Sequence, residues 1–161
     1  ASLLTCLCTE HRCQIVSSRM SRHGSCAVLL LQLSGNWDAL ARLELLLPAL
    51  AKREHFQLSM SRSHSIDERP QALPYNVFVT AAQRPELVGE LCRFFQHLNI
   101  DIEELHSFTY LAQHTGTAML NLTLTIAIPV QTQLSWLREQ FLDFCDELNL
   151  DAVIEPWRPL H

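Results

Sequence analysis

Apolar residues recur along this chain with two periods that alternate in blocks. Leu3, Leu4, Leu7 and Cys8 fall at helical spacing, and His11 and Arg12 put cations at the end, which predicts a helix over Ser2–Arg12. Gln14–Met20 is β-branched and partly alternating, so a strand is expected there, with Ser21–Gly24 as its turn. Ser25–Leu33 is so apolar that it predicts a central strand. Ser34-Gly35-Asn36 ends that strand and supplies an N-cap for a helix over Trp37–Lys52, with Trp37, Leu40, Leu43 and Leu47 as its apolar stripe. Phe56–Met60 alternates and predicts a closing strand.

Ser61–Leu73 is polar, charged and ends near prolines, the composition of a linker. Beyond it the plan repeats. Tyr75–Ala81 predicts a strand, and Pro85–Leu98 a helix with proline at its first position and Leu87, Leu91, Phe94 and Leu98 inward. Ile100–Tyr110 and Thr117–Ile128 predict strands, the latter strictly alternating. A helix follows over Thr132–Leu148, with Leu134, Leu137, Phe141, Phe144 and Leu148 inward, and Asp151–Glu155 predicts a last strand. The second half thus reads β-α-β-β-α-β and the first α-β-β-α-β. Laying His11–Ile15 over Leu98–Ile102 aligns helix ends with strand starts, so an internal duplication is expected. Split β-α-β units of this kind build ferredoxin-like sheets with both helices on one face, an α+β class. The expected boundaries are a first domain over 1–62, a linker over 63–73 and a second domain over 74–161.

Composition narrows the function. Of 161 residues, 48% are hydrophobic and 18% charged, which sets disorder aside. Lys and Arg number 12 against 17 Asp and Glu, a formal charge of −5, and no basic stripe appears. Direct nucleic-acid binding is therefore not expected. No run approaches the roughly 18 apolar residues of a membrane span, so no membrane partner is expected. The opening residues lack the basic start and cleavage site of a signal peptide and read as the middle of a helix. Six cysteines, four of them in apolar runs, read as reduced thiols of a cytoplasmic protein.

Catalytic and metal constellations are weak. Cys6, Cys8, His11 and Cys13 lack the spacing of a tetrahedral zinc site, since helical residues two apart diverge. Cys26 with His23 has no electropositive helix end to activate a thiol. His97, His106 and His114 lie on separate elements, and Glu103 and Glu104 are adjacent strand residues on opposite faces. No catalytic residue, metal or cofactor is called for. The leucine-rich face of Trp37, Leu40, Leu43, Leu45, Leu46 and Leu47 exceeds one helix stripe, so part is expected in the core and part on a contact surface.

The succession resembles the ACT family of small-molecule regulatory domains. Leu98-Asn99-Ile100 is similar to that family's helix-to-strand element, and Gln83-Arg84-Pro85-Glu86-Leu87 to its loop before the first helix. Gln14–Met20 with Gly24, Leu33–Trp37 and Ile102–Thr109 resemble elements of a group of paired-ACT repressors. The resemblance covers nearly the whole chain, in order. It implies two tandem ferredoxin-like ACT domains, the first lacking its initial strand, and a non-enzymatic, amino-acid-sensing transcriptional repressor. Glycine is the implied effector, and a LysR-type activator protein the implied partner.

The site that it implies lies where the loop meets the helix end and the next strand: Gln83, Arg84, Pro85, Glu86, Leu87, Asp101 and Ile102 in the second domain, Gln14 and Ile15 in the first. Helix N–H groups would take the effector's carboxylate, and strand-end acceptors its ammonium. Gln83 stands where the family prefers Asp, Glu86 where it often has Gly, and Gln14 and Asp101 where it prefers Asn. Residue 1 falls inside the first helix, so the first domain's sheet is expected to take a strand from a partner copy, in a homodimer. An alternative reading is a regulatory subunit or fragment of an amino-acid metabolic enzyme.

Overall fold

The computed structural model describes residues 2–63 and 71–158, and the chain divides into two units, residues 1–65 and 66–161. Most of the expected linker, residues 64–70, lies outside the described residues. The first unit contains α1 (Ser2–Glu10), β1 (Gln14–His23), β2 (Cys26–Ser34) and α2 (Trp37–Arg53). The second contains β3 (Ala72–Ala82), α3 (Leu87–His97), β4 (Asp101–Leu111), β5 (Ala118–Pro129), α4 (Leu134–Leu148) and β6 (Asp151–Pro156).

In the second unit the strands are antiparallel in the order β4-β5-β3-β6. The first strand of the unit, β3, therefore lies inside the sheet, with β5 on one side and β6 on the other. Burial along β5 follows its sequence alternation: Leu120, Leu122, Leu124, Ile126 and Ile128 are buried, and the residues between them are half-buried. Together with Val77 and Val79 they meet Leu87, Leu91 and Phe95 of α3 and Leu137 and Phe141 of α4. Phe94 stacks on Phe144 with ring centroids 4.6 Å apart, which seals the seam between the helices. Phe95, outside the stripe read from the sequence, is fully buried, whereas Phe94 and Leu98 are half-buried at the core's edge.

The helices share one ending. Arg12, His55, Asn99 and Asn149 take the left-handed conformation, with φ between 53° and 57°. In each case the next residue's N–H donates to a carbonyl five residues back: Cys13 to Cys8 (2.8 Å), Phe56 to Ala51 (3.1 Å), Ile100 to Phe95 (3.0 Å) and Leu150 to Cys145 (2.8 Å). This is the Schellman closure, which satisfies a terminal carbonyl and brings the two bonded residues' side chains together. The two units also match beyond it. β1 carries a register shift between Ile15 and Ser17, and β4 carries one between Ile102 and Glu104, at the same distance from the helix end.

The first unit differs from expectation in its sheet. Phe56–Met60 is not a strand, and among the described residues β2 pairs with β1 alone. The second unit supplies the reason: its closing strand β6 hydrogen-bonds β3 and never β5. No described residues of the first unit take the place of β3, so Phe56–Met60 has no ladder to join. For the same reason β2 is not central, and Val28 and Leu30 are 59% and 66% exposed.

Other differences are local. β1 continues to His23, and the hairpin turns on Gly24-Ser25 with only Gly24 at positive φ, the pattern of a type II′ turn. Asn36 caps α2 as expected, its Oδ1 accepting from the Ala39 N–H at 2.8 Å. Leu43 and Leu47 are buried and Leu40 half-buried, but Trp37 is 72% and Leu45 80% exposed, so the leucine-rich face is divided between core and surface. Pro85 precedes α3 in a turn closed by the Leu87 N–H donating to the Arg84 carbonyl, 3.3 Å. β3 begins at Ala72, inside the expected linker, because Ala72 and Leu73 pair with Pro129 and Ile128. Cys26 is exposed on its edge strand rather than buried.

Two predictions follow from this packing. Phe95→Ala should cost about 3–5 kcal/mol of the second unit's stability in a denaturant titration, because it empties the space between α3, α4 and β5. Burial, with Asp146 second, pushes the Cys145 thiol from 9.0 up to about 11. The folded chain therefore holds this proton after the unfolded chain has lost it. The Cys145 contribution to stability should be level below pH 9 and should fall between pH 9 and 11, so Cys145→Ala should lessen the decline over that range.

Candidate effector site

A helix that stops at a left-handed residue and turns at once into a bulged strand leaves a recess between its last turn and the strand's start. In the second unit this recess is a depression of about 390 Å³ lined by Cys92, Gln96, Asn99, Ile100, Asp101 and Ile102. Cys92 and Gln96 stand one helical turn apart and share a face of α3. Asn99 adopts the left-handed conformation at lower cost than other L-residues, because its short side chain relieves the clash locally. Asp101 is exposed, whereas Ile102 turns toward the helices and packs on the core.

Of the residues expected from the sequence, Asp101 and Ile102 line this depression, beside Cys92, Gln96, Asn99 and Ile100, which the sequence reading did not group with them. Their signal was present: an Asn just past a helical run, with polar or small residues at i−3 and i−7 on the face above it. In the first unit Arg12, Cys13, Gln14 and Ile15 occupy the corresponding places. Arg12 has φ 57°, Gln14 is exposed, and Ile15 packs on that unit's core.

The other expected residues lie elsewhere. Gln83, Pro85 and Glu86 are exposed before α3, and the Gln83 N–H donates to the Ala118 carbonyl at 2.9 Å. Arg84 donates to Glu90 at 3.0 Å, so its charge is already paired at the first turn of the helix. Leu87 is fully buried in the core. Its side chain is therefore withheld from a ligand, and its N–H is already bonded to the Arg84 carbonyl.

Strand register separates the two groups. Asp101 pairs with Ala127, which pairs with Pro74, at one end of the sheet. Ala82, next to Gln83, shares Met119 with Tyr110 at the other. Eight residue steps of β3, from Pro74 to Ala82, separate those levels, about 26 Å at the usual rise. One unit therefore does not bring Gln83–Leu87 against Asp101–Ile102.

The described residues offer little for nucleophilic or metal chemistry. They place no three His, Cys, Asp or Glu side chains together as a metal set. Burial raises the Cys8 thiol, with Cys13 second, and raises Cys145, the reverse of thiolate activation. His106 lies 3.6 Å from Glu104 on a largely exposed part of β4. No helix among the described residues is long and apolar enough to cross a membrane.

Comparison with known proteins agrees with this architecture. The ACT domain family model matches residues 1–61. The glycine cleavage system transcriptional repressors of Escherichia coli (strain K12) and Shigella flexneri are each 27% identical over 142 residues, 88% of this chain and 75% of theirs. A crystal structure assigned to a glycine cleavage system transcriptional repressor superposes with a TM-score of 0.75 at 22% identity, covering 98% of this chain and 89% of that one. The crystal structure of an unknown protein from Galdieria sulphuraria superposes with a TM-score of 0.72 at 20% identity, covering 96% of this chain and 88% of that one. The family match takes in the described elements of the first unit, and the second unit builds the same β-α-β-β-α-β plan in full. Residues 1–61 match the ACT domain family, and the chain as a whole has the fold of two tandem ferredoxin-like ACT domains.

Proposed function

We propose that this chain is a non-enzymatic cytoplasmic regulator that senses a small amino acid, glycine first among candidates, and represses transcription by holding a LysR-type activator protein. The supporting observation is the similarity over 142 residues to glycine cleavage system transcriptional repressors. Fold alone would not carry this reading, because the same sheet serves many functions. The charge of −5 fits a regulator that grips a protein rather than DNA.

In this reading Asp101, with Gln14 at the corresponding place in the first unit, offers an oxygen acceptor to the effector's ammonium. The depression beside Asp101, about 390 Å³, has ample room for an amino acid that carries no side chain. The effector's carboxylate is met by the Gln83–Glu86 loop. Since that loop is far from Asp101 within one unit, the complete site takes the two parts from two copies of the chain, and a homodimer supplies them.

Isothermal titration calorimetry of the purified chain with glycine, serine and alanine tests this. Saturable heat for glycine, weaker for the larger amino acids, is the expected result. Asp101→Ala should weaken glycine binding by about tenfold or more, the usual loss when a charge-assisted hydrogen bond is removed. Absence of heat for all three amino acids would overturn the sensing role.

A further inference from the structure

At the helix ends, the Schellman closure sets two side chains against each other. Three of these pairs are Ala51 with Phe56, Phe95 with Ile100, and Cys145 with Leu150. At the end of α1 the pair is two thiols, Cys8 and Cys13, which are 1% and 7% exposed and belong to one buried cluster. The Cys13 N–H donates to the Cys8 carbonyl at 2.8 Å, so the two backbones are already drawn together. Cys8 is harder to ionise through burial and, after that, through the nearby Cys13. Gly35 makes room for the second sulfur: a Cβ there would sit 3.1 Å from the Cys13 Sγ.

We propose that Cys8 and Cys13 form a modification site, a buried dithiol that closes reversibly into an intramolecular disulfide. The oxidant is a low-molecular-weight disulfide. Cys13, the more exposed of the two, loses its proton and attacks one oxidant sulfur, breaking the oxidant's S–S bond and expelling one thiolate. The Cys8 thiolate then attacks the Cys13 sulfur of the mixed disulfide and expels the second. Two protein thiols are oxidised and one external disulfide is reduced to two thiols, which take up the two protons. Burial makes this a slow site beside the exposed Cys6 and Cys26. The closed bond fastens α1 to the start of β1, one residue before Gln14. The inference rests on the thiol geometry and not on amino-acid sensing.

The full-length chain carrying Cys6→Ser and Cys26→Ser retains four of its six cysteines. Treatment with oxidised glutathione should lower the thiols titrated in denaturant from four to two, and the chain should stay monomeric on a non-reducing gel. Trypsin cuts after Arg12, so the disulfide should appear as a cross-linked pair of peptides, one holding Cys8 and the other beginning at Cys13. Dithiothreitol should restore all four thiols. Wild-type chain, its exposed thiols first blocked with N-ethylmaleimide, should give the same peptide pair, which keeps the test independent of the variants' folding. Four thiols after treatment, glutathione left on single cysteines, or a cross-link through Cys92 or Cys145 would each overturn the proposal.

Discussion

The hydrogen bond that closes each helix is the interaction on which the rest of this structure depends. A chain leaving a helix has four carbonyls without helical partners and must reverse direction to reach the sheet. One residue at positive φ does both: it turns the chain, and it lets the next N–H return to a carbonyl five residues back. Arg12, His55, Asn99 and Asn149 make that turn. At the ends of α1 and α3 the following strand begins at once and carries the same bulge a few residues later. The recess beside Asp101 is a consequence of this junction. So is the meeting of Cys8 with Cys13.

A second constraint comes from strand order. In β4-β5-β3-β6 the first strand of the unit holds the closing strand and shares the middle of the sheet with β5. The second unit satisfies this order, and its core is correspondingly deep, with Leu87, Leu91, Phe95, Leu124, Ile126 and Leu137 fully buried. The described part of the first unit has α1, β1, β2 and α2 around a smaller cluster centred on Leu43, Leu47 and Cys8. Its exposed Val28 and Leu30 are those that a flanking strand or partner would cover.

Much of this was legible from the residues. The strict alternation of Leu120 to Ile128 fixed the inward face of β5, and Asn36 announced the start of α2. The duplication showed in the alignment of His11–Ile15 with Leu98–Ile102, and the structure repeats it down to the bulges. What pattern alone missed had physical causes. Phe56–Met60 alternates like a strand, but alternation does not provide a neighbour to pair with. Ser25–Leu33 is apolar enough for a central strand, yet centrality belongs to the sheet and not to the segment. Phe94 and Phe95 both suit a helix stripe, and only the approach of α4 decides that Phe95 points to the core while Phe94 stacks on Phe144. The expected site residues were grouped by the resemblance, whereas strand register separates Gln83–Leu87 from Asp101–Ile102 by the length of the sheet.

The central claim is that the helix-to-strand junction receives a small amino acid. Mapping of backbone amide shifts by nuclear magnetic resonance during addition of glycine tests it most directly. The account predicts saturable shifts concentrated at Asn99–Ile102 and at the corresponding Arg12–Ile15, with the interior of the β3–β5 ladder unmoved. Saturable shifts confined to the groove between α3 and α4, around Arg93, His97 and Glu147, would contradict it.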